Sequence, residues 1–142
     1  MLIDLECRRR SSVVIAAALV EPGANGAWAE QILEQDGLYA PEHPRVEAAS
    51  VLRRLEREKK ITQQEANAAF EDLVELNVEL YEFEVFADRT WELRHNVSIH
   101  DGWYVALAEA LNLPLATLDG RLARADGTKC RFLTPDSKPI DV

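Results

Sequence analysis

Three acids in this 142-residue chain stand at one kind of structural address. Glu47 falls in the first turn of an expected helix after the short apolar segment Leu38-Tyr39-Ala40. Asp101 opens the helix that carries Tyr104-Val105-Ala106-Leu107, and Asp119 stands where Leu115–Leu118 gives way to a short helix. In a parallel α/β sheet, strand ends and helix N-termini share one edge, so these carboxylates are candidates to converge. Converging carboxylates repel, and at least one pKa must rise unless a cation sits among them. Hard oxygen donors in that arrangement suit Mg²⁺ or Mn²⁺, with water completing the shell. Such an ion polarises a phosphodiester and activates a bound water for in-line attack, so no side-chain nucleophile is needed. Each acid also has a purely structural reading. A carboxylate in a helix's first turn offsets the dipole by about 0.3–1 kcal/mol. Asp119 before Gly120 makes a good N-cap, and Ser98-x-x-Asp101 is close to a capping box. The metal reading rests on the three acids acting jointly.

The elements that must position them alternate helix and short strand. Asn25 to Gln35 carries Trp28, Ile32 and Leu33 at helical spacing and ends at Asp36-Gly37. Leu38–Ala40 then reads as a strand closed by Pro41, and Pro44 starts a helix running to about Lys60. Thr62-Gln-Gln-Glu65 is a capping box for the next helix, whose buried stripe is read as Ala69, Leu73, Val74 and Leu76. A strand is expected over Val78–Phe83 and a helix over Val85–His95, with Phe86, Trp91 and Leu93 apolar. The helix from Ser98 buries Tyr104, Val105, Leu107, Ala108 and Leu111. Leu113–Leu118 is a strand, Asp119 to about Arg124 a short helix, and Arg131–Leu133 a last strand. Short strands separated by helices imply parallel pairing and right-handed crossovers, hence a three-layer α/β/α sandwich around a central parallel sheet. No repeat or linker divides the chain, so residues 1–142 are read as one domain.

Composition narrows the class. Hydrophobic residues make up 47% and charged residues 29%, which fits a folded globular chain. The longest apolar run, Val13–Val20, falls far short of a membrane span and reads as a buried strand entering a helix; a cytoplasmic location is expected. Cys7 and Cys130, the only cysteines, offer no zinc framework and are expected as unpaired thiols. The net charge of −9 argues against binding nucleic acid by charge alone, yet acids gathered on a metal ion can still present positive charge to phosphate. The basic stretch Leu52–Lys60 is read as a solvated helix face with internal ion pairs rather than an RNA contact. His100, beside Asp101, points elsewhere on its helix and is assigned to surface or packing. His43 and His95 show no ligand spacing. Trp28, Trp91, Trp103 and Tyr104 are candidates to stack on RNA bases, and core packing is the assignment for Trp28, Trp91 and Tyr104.

Three segments resemble the PIN-domain toxins of the VapC type. Ser98-Ile-His-Asp101-Gly-Trp-Tyr104-Val-Ala-Leu-Ala-Glu-Ala-Leu111 resembles their third-acid helix, and Leu115-Ala-Thr117-Leu-Asp119-Gly-Arg121-Leu-Ala123 the strand and turn of their fourth acid. Val46-Glu47-Ala-Ala-Ser-Val-Leu52-Arg resembles the helix of their second. The resemblance runs from about Ser11 to Phe132 and implies an endoribonuclease with one or two Mg²⁺ or Mn²⁺ ions. Glu47, Asp101 and Asp119 are then its metal-site acids, its partners are RNA and a cognate antitoxin, and it is a homodimer. In the family, an apolar N-terminal strand ends in the first metal-binding aspartate. Here Ser11–Val20 fits the part that follows it, and an ungapped reading places Arg10 at the aspartate. An arginine there would repel the metal. The other reading ends the strand at Leu2-Ile3-Asp4, making Asp4 the ligand and Leu5–Arg10 extra sequence. A shifted start upstream of Ser11 would account for this atypical N-terminus, residues 1–10. A second function class follows from it: a PIN-like protein that binds an antitoxin without cutting RNA. A small nucleotide-binding or signalling domain finds no Gly-rich phosphate loop to support it.

Overall fold

The computed structural model describes residues 24–33 and 37–136. In chain order these form α1 (Ala24–Leu33), β1 (Leu38–Pro41), α2 (Pro44–Arg57), α3 (Gln63–Glu75) and β2 (Val78–Tyr81). A 3₁₀ turn (Glu84–Phe86) leads into α4 (Ala87–Glu92), then α5 (Ile99–Leu111), β3 (Leu115–Ala116), α6 (Gly120–Ala123) and β4 (Phe132–Leu133). The Ser11–Val20 segment, Asp4, Arg10 and Cys7 lie outside the described residues.

All strand pairing among the described residues is parallel. β1 pairs with β2 in the register Leu38↔Val78, and β3 with β4 in the register Leu115↔Phe132. Parallel neighbours need a crossover, and helices supply it: α2 and α3 between β1 and β2, α6 between β3 and β4. The two faces are covered by different helices. Leu115 packs with Ala40, Tyr104, Val105 and Ala108, the α5 side. The next residue, Ala116, packs with Ile32, Leu38 and Leu133, the α1 side. Successive residues of a strand point to opposite faces, so this is an α/β/α sandwich. α5 is its central helix, with every residue from Gly102 to Ala108 buried. Gly102 makes this possible, since a Cβ there would meet Thr90 Cγ2 at 3.3 Å and the Thr90 carbonyl oxygen at 3.4 Å. Among the described residues, no helix is long and apolar enough to cross a membrane.

Several elements differ in detail from the sequence expectation. The α3 stripe is Ala66, Ala69 and Leu73, which turns Val74 outward to 55% exposure. The helix expected over Val85–His95 is shorter, because Phe86, Thr90 and Leu93 set its buried face and a turn follows Glu92. Trp91, expected in the core, lies off that face and is exposed. Trp28 packs partly buried against the core, and Tyr104 is buried as expected. In the basic stretch, Arg53, Arg54 and Arg57 are exposed and Lys60 pairs with Glu58 at 3.0 Å.

Candidate active site

Two capping motifs built alike have different outcomes. At α3 the box closes: Glu65 N donates to Thr62 Oγ1 at 3.1 Å, and Thr62 N donates to Glu65 Oε1 at 3.2 Å. At α5 only one half forms. Asp101 N donates to Ser98 Oγ at 3.1 Å, while the Asp101 carboxylate has no hydrogen-bond or ion-pair partner among the described residues. The helix start therefore fixes the backbone of Asp101 and, among the described residues, leaves both side-chain oxygens available.

Asp119 is held differently. Thr117, 1% exposed, extends the ladder by donating its amide to Leu133 O at 2.9 Å. Its Oγ1 then accepts from Asp119 N at 3.0 Å. Asp119 caps α6, its Oδ1 accepting from Arg121 N at 2.9 Å and Leu122 N at 3.4 Å. Capping occupies Oδ1 alone and sets the direction of the second oxygen. Asp101 and Asp119 line one cleft of about 340 Å³. Asn96, Val97 and Ser98 line it from the segment before α5, and Arg121, Leu122 and Ala125 from α6 and its exit.

Glu47 stands beside this cleft rather than in its lining. Its Oε1 is 3.0 Å from Nδ1 of His100, the residue before Asp101, with the two side chains 28% and 73% exposed. His100 is thus a surface residue whose ring meets Glu47 at the start of α5. Among the described residues, no three metal-binding side chains are gathered closely enough to hold an ion alone. The cleft's donors are carboxylate oxygens without thiols or imidazoles, which suits a hard divalent ion. Mg²⁺ in particular is commonly held by one or two carboxylates together with water and substrate phosphate.

One wall of the cleft is braced by an ion-pair network that sequence reading missed. Arg89 of α4 reaches Glu109 of α5 with Nε to Oε2 at 2.7 Å and Nη2 to Oε1 at 3.1 Å. Arg89 Nη2 also donates to Gly127 O at 2.7 Å, and Lys129 N donates to Glu109 Oε1 at 2.7 Å. Burial alone would raise the Glu109 pKa, but these hydrogen bonds outweigh it and hold the carboxyl below its usual range. The network ties the 125–129 loop to two helices. Gly127 has φ +82°, and a Cβ there would come 2.8 Å from Asn96 Nδ2 in the cleft wall. Burial, then the Glu109 charge, pushes the Cys130 thiol up to about 12; this cysteine is free. The signal available in sequence was Glu109 itself, an acid inside the otherwise apolar run Val105–Leu111. Arg121, Asn96 and Ser98 were not singled out as cleft residues because polar residues at helix starts have ordinary capping uses.

This geometry agrees with what the chain resembles. A PIN domain matches residues 11–128. The chain belongs to the PIN-domain family, and within it to the VapC type. Ribonuclease VapC1 of Mycobacterium tuberculosis (strain ATCC 25618 / H37Rv) is 38% identical over 125 residues, covering 84% of this chain and 94% of that protein. Ribonuclease VapC9 of the same strain is 36% identical over 118 residues, covering 83% and 93%. Ribonuclease VapC12 is 32% identical over 117 residues, covering 82% and 89%. Among solved structures, PAE2754 from Pyrobaculum aerophilum shares the fold with a TM-score of 0.63 at 18% identity, covering 92% of this chain and 84% of that one. PIN-domain nucleases use divalent metal ions.

Proposed function

We propose that this chain is the toxin of a type II toxin–antitoxin pair, an Mg²⁺- or Mn²⁺-dependent endoribonuclease that hydrolyses RNA phosphodiester bonds. The observation that carries the reading is the pairing of Asp101 and Asp119 in one cleft, with the Asp101 carboxylate released from helix capping. Relatives named as ribonucleases at 32–38% identity support it.

Asp101 and Asp119 are the residues that would hold the metal ion, with Glu47 as the third acid. A bound divalent ion supplies positive charge for phosphate and lowers the pKa of a coordinated water. The protein's part is orientation. Asp119 is fixed by Thr117 and by the α6 amides, so its free oxygen needs no rotamer search. Glu47 stands 3.0 Å from His100 at the start of α5. Arg121, in the cleft lining, offers a forked donor to phosphate oxygens. Asp4 is the candidate for the family's remaining acid, with Arg10 as the competing register. Residues 1–142 act as a single domain, homodimeric and cytoplasmic, and a cognate antitoxin holds it inactive.

The test is RNA cleavage by purified protein in Mn²⁺ or Mg²⁺. Cleavage is expected to stop with EDTA and with Asp101→Ala. Cleavage that survives Asp101→Ala in clean protein would show the site to be elsewhere. A functional metal site also binds the folded state alone, so Mn²⁺ is expected to raise the melting temperature of the wild type and not of Asp101→Ala.

A further inference from the structure

Trp91 and Arg94 form a surface feature that neither the core nor the acid site uses. The Trp91 indole is 61% exposed, although its apolar area is among the largest a side chain can bury. The Arg94 guanidinium carbon lies 4.5 Å from the ring centroid, and Arg94 Nη1 donates to the Trp91 carbonyl at 2.8 Å. The hydrogen bond places Arg94 on one face of the ring. The other guanidinium nitrogens of Arg94 have no partner among the described residues.

The pair stands close in sequence to the cleft wall. Leu93, 1% exposed, anchors the turn after α4, and its carbonyl accepts from Asn96 N at 2.9 Å and Val97 N at 3.1 Å. Asn96 and Val97 both line the cleft, so Arg94 is two residues from its wall. The neighbouring acid Glu92 is already paired with Arg89 at 3.2 Å and does not oppose an anion there. On a chain of net charge −9, Arg94 stacked on an exposed indole places positive charge two residues from the cleft wall, with guanidinium nitrogens still unpartnered among the described residues.

We propose that Trp91 and Arg94 form a nucleotide platform for the RNA strand leaving the cleft. A base next to the scissile phosphate stacks on the open face of Trp91, and Arg94 meets the phosphate of that nucleotide. The inference rests on the ribonuclease reading and deepens it. It makes the substrate an unpaired strand, since a base within a duplex has no free face to offer. Every base has a π-face, so the platform adds affinity with little sequence preference. Arg94 is already held over the ring by its bond to the Trp91 carbonyl, which limits the ordering cost of the guanidinium on binding.

The experiment measures Mn²⁺-dependent cleavage of an end-labelled, mixed-sequence single-stranded RNA and of the same RNA annealed to its complement. Trp91→Ala and Arg94→Ala are each expected to raise KM about tenfold, from the loss of a stacked base or a phosphate contact. Saturating kcat stays within about twofold, because the acids are untouched. Trp91→Phe keeps most of the wild-type KM, and the duplex is cut poorly. Wild-type KM in both alanine variants, or equal cutting of the duplex, overturns the proposal while leaving the ribonuclease reading intact. Normal cleavage by the alanine variants with a changed oligomeric mass also overturns it, by making the face a protein contact. A wild type that cuts no RNA in Mn²⁺ removes the ribonuclease reading and the platform together.

Discussion

Removing Arg89 tests whether the brace behind the cleft is electrostatic. Arg89→Ala leaves the Glu109 carboxylate, only 13% exposed, with the Lys129 amide as its one remaining donor among the described residues, and removes the Arg89 donor from Gly127 O. Stranding one member of a fully buried pair costs about 3–5 kcal/mol, whereas an exposed pair contributes about 0–1 kcal/mol. The Arg89 side chain is 26% exposed, so the pair lies between these limits. A loss of about 2 kcal/mol at pH 7 is expected, read by urea unfolding at fixed protein concentration. The pH dependence separates charge from packing. The Glu109 carboxyl is held below its ordinary value of 4.5, so its contribution is complete above the unfolded pKa. It is lost as pH falls through the lower folded pKa. The gap between wild type and Arg89→Ala should therefore narrow on acidification below about pH 4.5. Arg89→Lys, which keeps charge but not the fork, is expected in between. A gap that stays constant from pH 7 into the acid range, or a strictly additive Arg89→Ala/Glu109→Ala cycle, would refute the electrostatic account.

Two further outcomes follow from the packing. Gly102→Val drives side-chain carbon into Thr90, where even a Cβ sits 3.3 Å from Cγ2, and is expected to lower stability by about 1–3 kcal/mol in thermal or urea unfolding. Gly102→Ala should cost less, since the neighbour need give only a few tenths of an ångström. In a Cys7→Ser background, Cys130 is expected to react slowly with a thiol reagent at pH 8. Its pKa of about 12 leaves almost no thiolate, and denaturant should accelerate labelling sharply.

The sequence made the layer order readable because period-2 and period-3.6 stripes carry it: Leu38–Ala40 as strand, Tyr104–Ala108 as buried helix. It misplaced Trp91 and Val74 because a stripe one residue out of phase scores nearly as well over a short helix. Capping logic was half informative. It found Thr62–Glu65 and Asp119 correctly, and it could not say that Ser98–Asp101 would close on only one side. Glu47 was legible as a first-turn acid, but its partner was not. A contact between residues 47 and 100 depends on how α2 is placed against α5, which no local pattern encodes. The Arg89–Glu109 fork was hidden for the same reason, its members lying 20 residues apart on separate helices.

The half-formed box at Asp101 has a practical consequence. Helix α5 takes its capping energy from Ser98 and the Asp101 amide, neither of which depends on what the side chain at position 101 carries. The substitution Asp101→Asn forfeits a dipole interaction of about 0.3–1 kcal/mol and leaves the Ser98 cap in place. The Asp101→Asn variant should therefore express and fold like the native chain while sparing its host, which makes it the form in which to trap an uncut transcript.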